Sequence, residues 1–280
     1  EDGTGPWNFQ GDYATISPLG GRLGASVFLS DLFAGVAAPD ASNPNSNQGI
    51  VWFFRCTQDD SWNSTGDDDC DGWAMPPAEF SGGGFGTALV NWNNNVVISH
   101  TGMNDGNGGM HIFKFRNAST ENVIAWTDTI SISGNHTWGE TLEVAGSMVW
   151  ISKGDGAIGY LLDDGDIRLS ADIAATVSAQ ALPTGTDWIP QSLDVEGSWM
   201  AGGASEENKV VIMHEVDDAW SAVQVLDGPE TGSLYGVTIR LLNGVLAVGA
   251  PMAASGDGRV YLYTLDSSDQ WVWQQTIVPD

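Results

Sequence analysis

The chain has 280 residues, 36 of them acidic against nine basic, for a formal net charge of −27. That field repels nucleic acid, whose binders need a basic footprint, and it disfavours docking on anionic lipid. No apolar run approaches the ~18 residues of a membrane span, so direct membrane insertion is not expected. The length suits one all-β domain, since such domains run to ~200–250 residues. The acidity reads either as solubility or as recruitment of cations or a basic partner surface.

The chain opens at Glu1 without a signal peptide, which fits a processed or trimmed chain. Trp7-Asn8-Phe9-Gln10 and Tyr13 to Ile16 have the look of an outer strand. From about residue 20 a degraded repeat begins. Its first copy holds Leu23-Gly24, a hydroxyl at Ser26, the small-residue turn Ala37-Ala38-Pro39 and the apolar strand Gly49 to Phe54. Short runs rich in Val, Ile, Phe, Tyr and Trp, bounded by Gly, Asn, Asp and Pro, are the strand signal.

An insertion follows that carries both cysteines, Cys56 and Cys70. In an extracellular chain, two cysteines around a loop rich in Asp, Ser and Gly read as one local disulfide. A thiol pair at a metal or redox site is the alternative. Inside the loop, Asp67, Asp69 and Asp71 belong to the densest acidic cluster, a candidate calcium site. Calcium prefers six to eight oxygen ligands from alternating acidic positions; the run here is consecutive, so a merely solvated loop stays open. Trp62 and Trp73 flank the loop and are candidate binding-surface aromatics, because Trp is a favoured interface anchor.

The second copy has Phe85-Gly86, Ala88, Ser99-His100-Thr101 and the strand Gly109 to Phe115. His100 and His111 stand on either side of one loop, and a metal site with Asp105 is conceivable; a solvated histidine at a strand end is the plainer reading. Asn104 to Gly109 reads as a flexible turn. The third copy has Trp138-Gly139, Thr141, Ile151-Ser152-Lys153 and Gly156 to Leu162, then the Asp163-Asp164-Gly165-Asp166 hairpin, where Asp-Gly tolerates positive φ. The fourth has Ile189-Pro190, Ser192, Gly203-Ala204-Ser205 and Lys209 to His214. The fifth is clearest: Leu234-Tyr235-Gly236, Thr238, Gly249-Ala250-Pro251, Arg259 to Tyr263 and Trp271 to Ile277. Sequons at Asn63, Asn117 and Asn135 fall in loops and are candidate glycosylation sites in a eukaryotic secretory host.

The apolar-Gly column recurs at steps of 62, 53, 51 and 46 residues (24 to 86, 139, 190 and 236). A period near 50 with several short strands marks a propeller or related array. No segment of helical length shows apolar residues at three- and four-residue spacing. The predicted fold is all-β: a single β-propeller domain over 1–280 with about five four-stranded blades, at approximately 20–82, 83–135, 136–186, 187–232 and 233–280. Residues 1–19 would supply a closing outer strand; a section of a six- or seven-bladed ring is the alternative. The Gly after the aromatic is expected to permit close backbone approach. Trp52, Trp150, Trp199 and Trp271 or Trp273 are expected to fill the wedges between blades.

With Leu234-Tyr235-Gly236, Gly249-Ala250-Pro251 and the outer strand Trp271-Val272-Trp273-Gln274-Gln275-Thr276-Ile277, the chain resembles the FG-GAP repeats of integrin-α-type β-propellers over roughly residues 20 to 278. The resemblance implies a secreted or cell-surface propeller concerned with ligand binding or adhesion rather than catalysis. Many such propellers have seven blades. The family's Asp-rich calcium loops would fall at Leu29 to Phe33, Asn91 to Asn95, Val144 to Ser147, Val195 to Ser198 and Leu241 to Gly244, and none has the required pattern. The expectation is therefore a non-enzymatic, extracellular protein engaging a protein partner. A glycan-binding module is the alternative, and a polysaccharide-acting enzyme ranks third. No Gly-x-Ser-x-Gly, His-Glu-x-x-His or phosphate loop occurs. No cofactor is expected beyond calcium.

Overall fold

The strand columns of the repeat become hydrogen-bonded meanders. The computed structural model describes residues 21–30, 33–41, 48–55, 72–74, 82–92, 95–115, 124–131, 139–153, 156–163, 166–172 and 191–279. Two units divide the chain, residues 1–105 with 110–130, and residues 106–109 with 131–280.

The first unit holds two sheets. One is β1 (Val27–Leu29), β2 (Phe33–Ala38), β3 (Ile50–Arg55) and β4 (Gly72–Ala74); the other is β5 (Phe85–Trp92), β6 (Asn95–His100), β7 (Gly109–Phe115) and β8 (Ile124–Ser131). The second unit holds three. These are β9 (Leu142–Ala145), β10 (Met148–Lys153), β11 (Gly156–Asp163) and β12 (Asp166–Asp172); β13 (Ser192–Glu196), β14 (Trp199–Ala204), β15 (Lys209–Val216) and β16 (Ala219–Asp227); and β17 (Thr238–Leu242), β18 (Val245–Ala250), β19 (Arg259–Leu265) and β20 (Trp271–Ile277). Every sheet pairs its strands in chain order. Five four-stranded antiparallel meanders, with helix confined to single turns among the described residues, make an all-β, β-propeller-like fold.

Burial follows strand position. In β6 and β14 every residue after the first is buried, as in strands covered on both faces. The last strand, β20, buries only Trp271 fully. Three hydrophobic clusters among the described residues each draw on two consecutive sheets. Phe28, Phe53, Phe85, Leu89 and Ile98 join the two sheets of the first unit. Trp150, Leu193, Met200 and Met213 join the first and second sheets of the second unit, and Ile212, Tyr235, Leu246, Val248 and Trp271 join its second and third. Burying one such large side chain contributes about 1.5–3 kcal/mol. Trp150 and Trp271 fill these wedges as expected, whereas Trp273 is 56% exposed and Trp199 lies half-buried, stacked on His214 with ring centroids 4.0 Å apart.

Two local features depart from the sequence reading. The column glycines Gly24, Gly86, Gly139 and Gly236 all have φ between 83° and 93°. Left-handed backbone is the common requirement, and close approach is local: a Cβ on Gly236 would meet the Lys209 carbonyl oxygen at 2.8 Å, while one on Gly24 would meet nothing. The turn at Asn104 also carries left-handed backbone at residues other than glycine. Asn104 and Asp105 sit at φ 52° and 60°, and the turn after β18 repeats this at Ala254 and Ser255, φ 53° and 65°.

The first strands β5 and β17 each have one edge outside their own ladder, and side chains from the preceding sheet bond to that edge or to the chain beside it. Ser26 Oγ accepts from the Leu89 N–H at 2.9 Å; Asp194 Oδ2 accepts from Leu241 N–H at 2.6 Å; Glu196 accepts from Asn243 N–H at 2.7 Å and Gly244 N–H at 3.3 Å. Ser192 Oγ donates to the Gly236 carbonyl at 2.6 Å. Exposed strand edges invite foreign pairing, and these bonds occupy them.

Candidate functional site

Four residues after each column glycine, or its Pro190 equivalent, the repeat places Phe28, Val90, Glu143, Asp194 and Arg240. The pairing confirms the equivalence in the second unit, where Glu143 faces Trp150, Asp194 faces Ala201 and Arg240 faces Ala247 across their ladders. Strand β13 packs against β9 on one side and β17 on the other. The three charged positions therefore meet.

Arg240 Nη1 lies 3.5 Å from Asp194 Oδ2 and 3.6 Å from Glu143 Oε2. Its side chain is 69% exposed, against 22% for Glu143 and 5% for Asp194. Asp194 is held by the N–H groups of Leu241 and Val195, at 2.6 and 2.9 Å. Burial, then the Asp194 charge, pushes the Glu143 carboxyl up to about 7, with Arg240 opposing. A carboxyl poised near neutrality beside a solvent-facing guanidinium can exchange a proton at pH 7 and stabilise an oxyanion.

Sequence reading missed these residues. The signal lay in the column itself, apolar in the first two copies and charged in the last three, but only the sheet-to-sheet contacts reveal that the charges converge.

The candidate residues chosen from sequence fall elsewhere. Cys56, Cys70, Asp67, Asp69, Asp71, Asn63, Asn117, Asn135 and Trp62 lie outside the described residues, as does the clasp expected from residues 1–19. Trp73 lies in β4, its backbone opposite Trp52. His100 and His111 do meet, at 3.1 Å between Nδ1 and Nε2, and both are fully buried. Asp105 instead sits exposed in its turn, and no cluster of three metal-ligating side chains occurs among the described residues.

The histidine pair forms a directed chain. Because the Gly82 carbonyl can only accept, His100 Nε2 donates to it at 3.0 Å, which leaves Nδ1 to accept from His111 Nε2; His111 Nδ1 then accepts from Thr129 Oγ1 at 2.7 Å, and Thr129 accepts from Trp126 Nε1 at 2.9 Å. Phe85 packs against both rings. Burial lowers the pKa of His100, and burial with the His100 charge takes that of His111 down to about 3.

Since the folded pKa is depressed, this stabilisation is complete above the unfolded value near 6.5 and is lost as pH falls toward 3. Acidification from pH 7 to 4 is expected to remove most of the histidine contribution, so that relative to the parent His111→Gln loses less stability on acidification, by on the order of a few kcal/mol. Urea unfolding at both pH values measures it, and identical slopes for variant and parent would refute it.

No family model matches the chain, and no curated protein matches it in sequence. Solved structures do match in shape. A candidate 6-phosphogluconolactonase of Bacteroides fragilis aligns over 91% of this chain and 71% of its own, at 10% identity and TM-score 0.65. One from Bacteroides uniformis aligns over 91% and 72%, at 10% identity and TM-score 0.65. The periplasmic gluconolactonase of Pseudomonas aeruginosa aligns over 91% and 72%, at 12% identity and TM-score 0.60. At such identities the likeness is one of fold.

These neighbours correct the resemblance to FG-GAP repeats of integrin-α-type propellers, for they are lactonase-type propellers. Gly249-Ala250-Pro251 ends β18 at a turn, where small residues and a proline that cannot continue the ladder suit any such blade. The non-enzymatic adhesion or surface-assembly reading falls with it, because the neighbours are named as enzymes. No helix among the described residues is long and apolar enough to cross a membrane.

Proposed function

We propose that this chain hydrolyses a sugar-derived lactone at the Glu143–Asp194–Arg240 cluster. The observation that carries the reading is the Glu143 carboxyl, held near pH 7 within 3.6 Å of an exposed guanidinium. The fold likeness to lactonases supports it and supplies the substrate class.

Ionised Glu143 takes a proton from water, whose oxygen attacks the lactone carbonyl carbon. The carbonyl π electrons move onto oxygen, where Arg240 N–H groups stabilise the negative charge. As the carbonyl reforms, the ring C–O bond breaks, and Glu143 returns its proton to the departing ring oxygen. One lactone and one water give one hydroxy acid. Asp194 touches no reacting atom in this scheme; it raises the Glu143 pKa and anchors Arg240 by charge.

An exported location, like that of the periplasmic gluconolactonase neighbour, belongs to the same proposal. Cell fractionation tests it. For the chemistry, pH-stat titration of glucono-δ-lactone and its 6-phosphate tests turnover above the spontaneous rate; catalysis of neither overturns the reading.

A further inference from the structure

Resting on the lactonase reading, we infer that the site takes an uncharged polyhydroxy lactone and rejects a phosphorylated one. The first strands of the second unit carry Glu143, Asp194 and Glu196 against a single cation, Arg240. Arg240 already faces two carboxylates, at 3.5 and 3.6 Å. Glu143 can shed one negative charge by protonation, which still leaves these four side chains with a net negative charge, and a larger one when Glu143 acts as base.

A phosphate needs the opposite: free guanidinium or ammonium groups, or unoccupied backbone N–H donors. Three N–H groups on β17 and its following turn are committed. Leu241 donates to Asp194, and Asn243 and Gly244 donate to Glu196. The protein's own carboxylates thus hold three backbone donors that an anionic substrate could otherwise use.

The other described cationic side chains of this unit are also paired, Lys209 with Asp227 and Arg259 with Glu230. Like charges brought close together repel, and the chain's net −27 adds to this at longer range. A neutral lactone meets no such penalty, and its hydroxyls can donate to carboxylate oxygens.

The test compares glucono-δ-lactone with 6-phosphoglucono-δ-lactone at pH 7 on the full chain, with spontaneous hydrolysis subtracted. The neutral lactone is expected to show kcat/KM at least ~10-fold higher, with the difference mainly in KM. Glu196→Gln, which removes one charge but keeps an acceptor for the turn, should narrow that gap several-fold. Equal or better turnover of the phosphate, or an undiminished gap in Glu196→Gln, overturns the inference while leaving the lactonase reading intact. Turnover of neither lactone overturns both.

Discussion

Glu143→Gln is expected to lower kcat/KM for lactone hydrolysis by roughly 10²–10⁴-fold, the usual contribution of a positioned general base. Gln keeps the shape of the side chain and can still accept a hydrogen bond from Arg240, but it cannot take a proton. The parent rate should rise through pH 7 as Glu143 ionises and then level off, and the variant should lose that limb. Stability separates this outcome from misfolding. The Glu143 pKa is raised from 4.5 to about 7 on folding, so the stability it contributes is fully present below pH 4.5 and lost as pH rises through 7. The variant escapes that loss, and its unfolding midpoint at pH 8 should equal or exceed the parent's. A variant that is inactive and also less stable at pH 8, or one that keeps the parent's pH profile, would remove Glu143 from the chemistry.

Gly203→Ala is expected to cost about 3 kcal/mol or more. Gly203 lies in β14, opposite Ser192 and Val210. A Cβ there would overlap the Gly236 carbonyl oxygen and approach Ser192 Oγ at 2.6 Å. The obstacle is backbone of the next sheet, so no rotamer change relieves it. Shifting that strand would also break the Ser192–Gly236 hydrogen bond and open the cluster around Tyr235 and Ile212. Gly244→Ala is the control: its φ is 71°, but a Cβ meets nothing within 4 Å, so the loss should stay near ~1 kcal/mol from left-handed strain alone. Urea unfolding of both variants checks the ranking, and equal losses would refute the close backbone approach between these sheets.

Strand positions were readable because alternation and turn chemistry are local. Trp271 to Ile277 is β20 residue for residue, and Asp163 at the end of β11 pairs with Asp166 at the start of β12. The glycine column was readable as a position but not as a reason, since φ depends on how the chain enters the first strand. His100 and His111 could be suspected as neighbours from their places around one turn. That their partners would be Gly82 and Thr129 rather than Asp105 depends on packing 18 residues away in either direction. The integrin-like resemblance rested on turn and edge-strand residues, which report blade architecture and carry no chemistry of their own.

By itself the sequence determined an all-β array of four-stranded meanders, because strand period, turn residues and the near-50 repeat act over short distances. Only the tertiary structure decided that the cluster proposed for catalysis forms at all. Glu143, Asp194 and Arg240 are about 50 residues apart in the chain, and their pKa and charge relations exist only once β9, β13 and β17 lie side by side. Electrostatic coupling depends on distance and burial, and neither is a property of a residue's position in the chain.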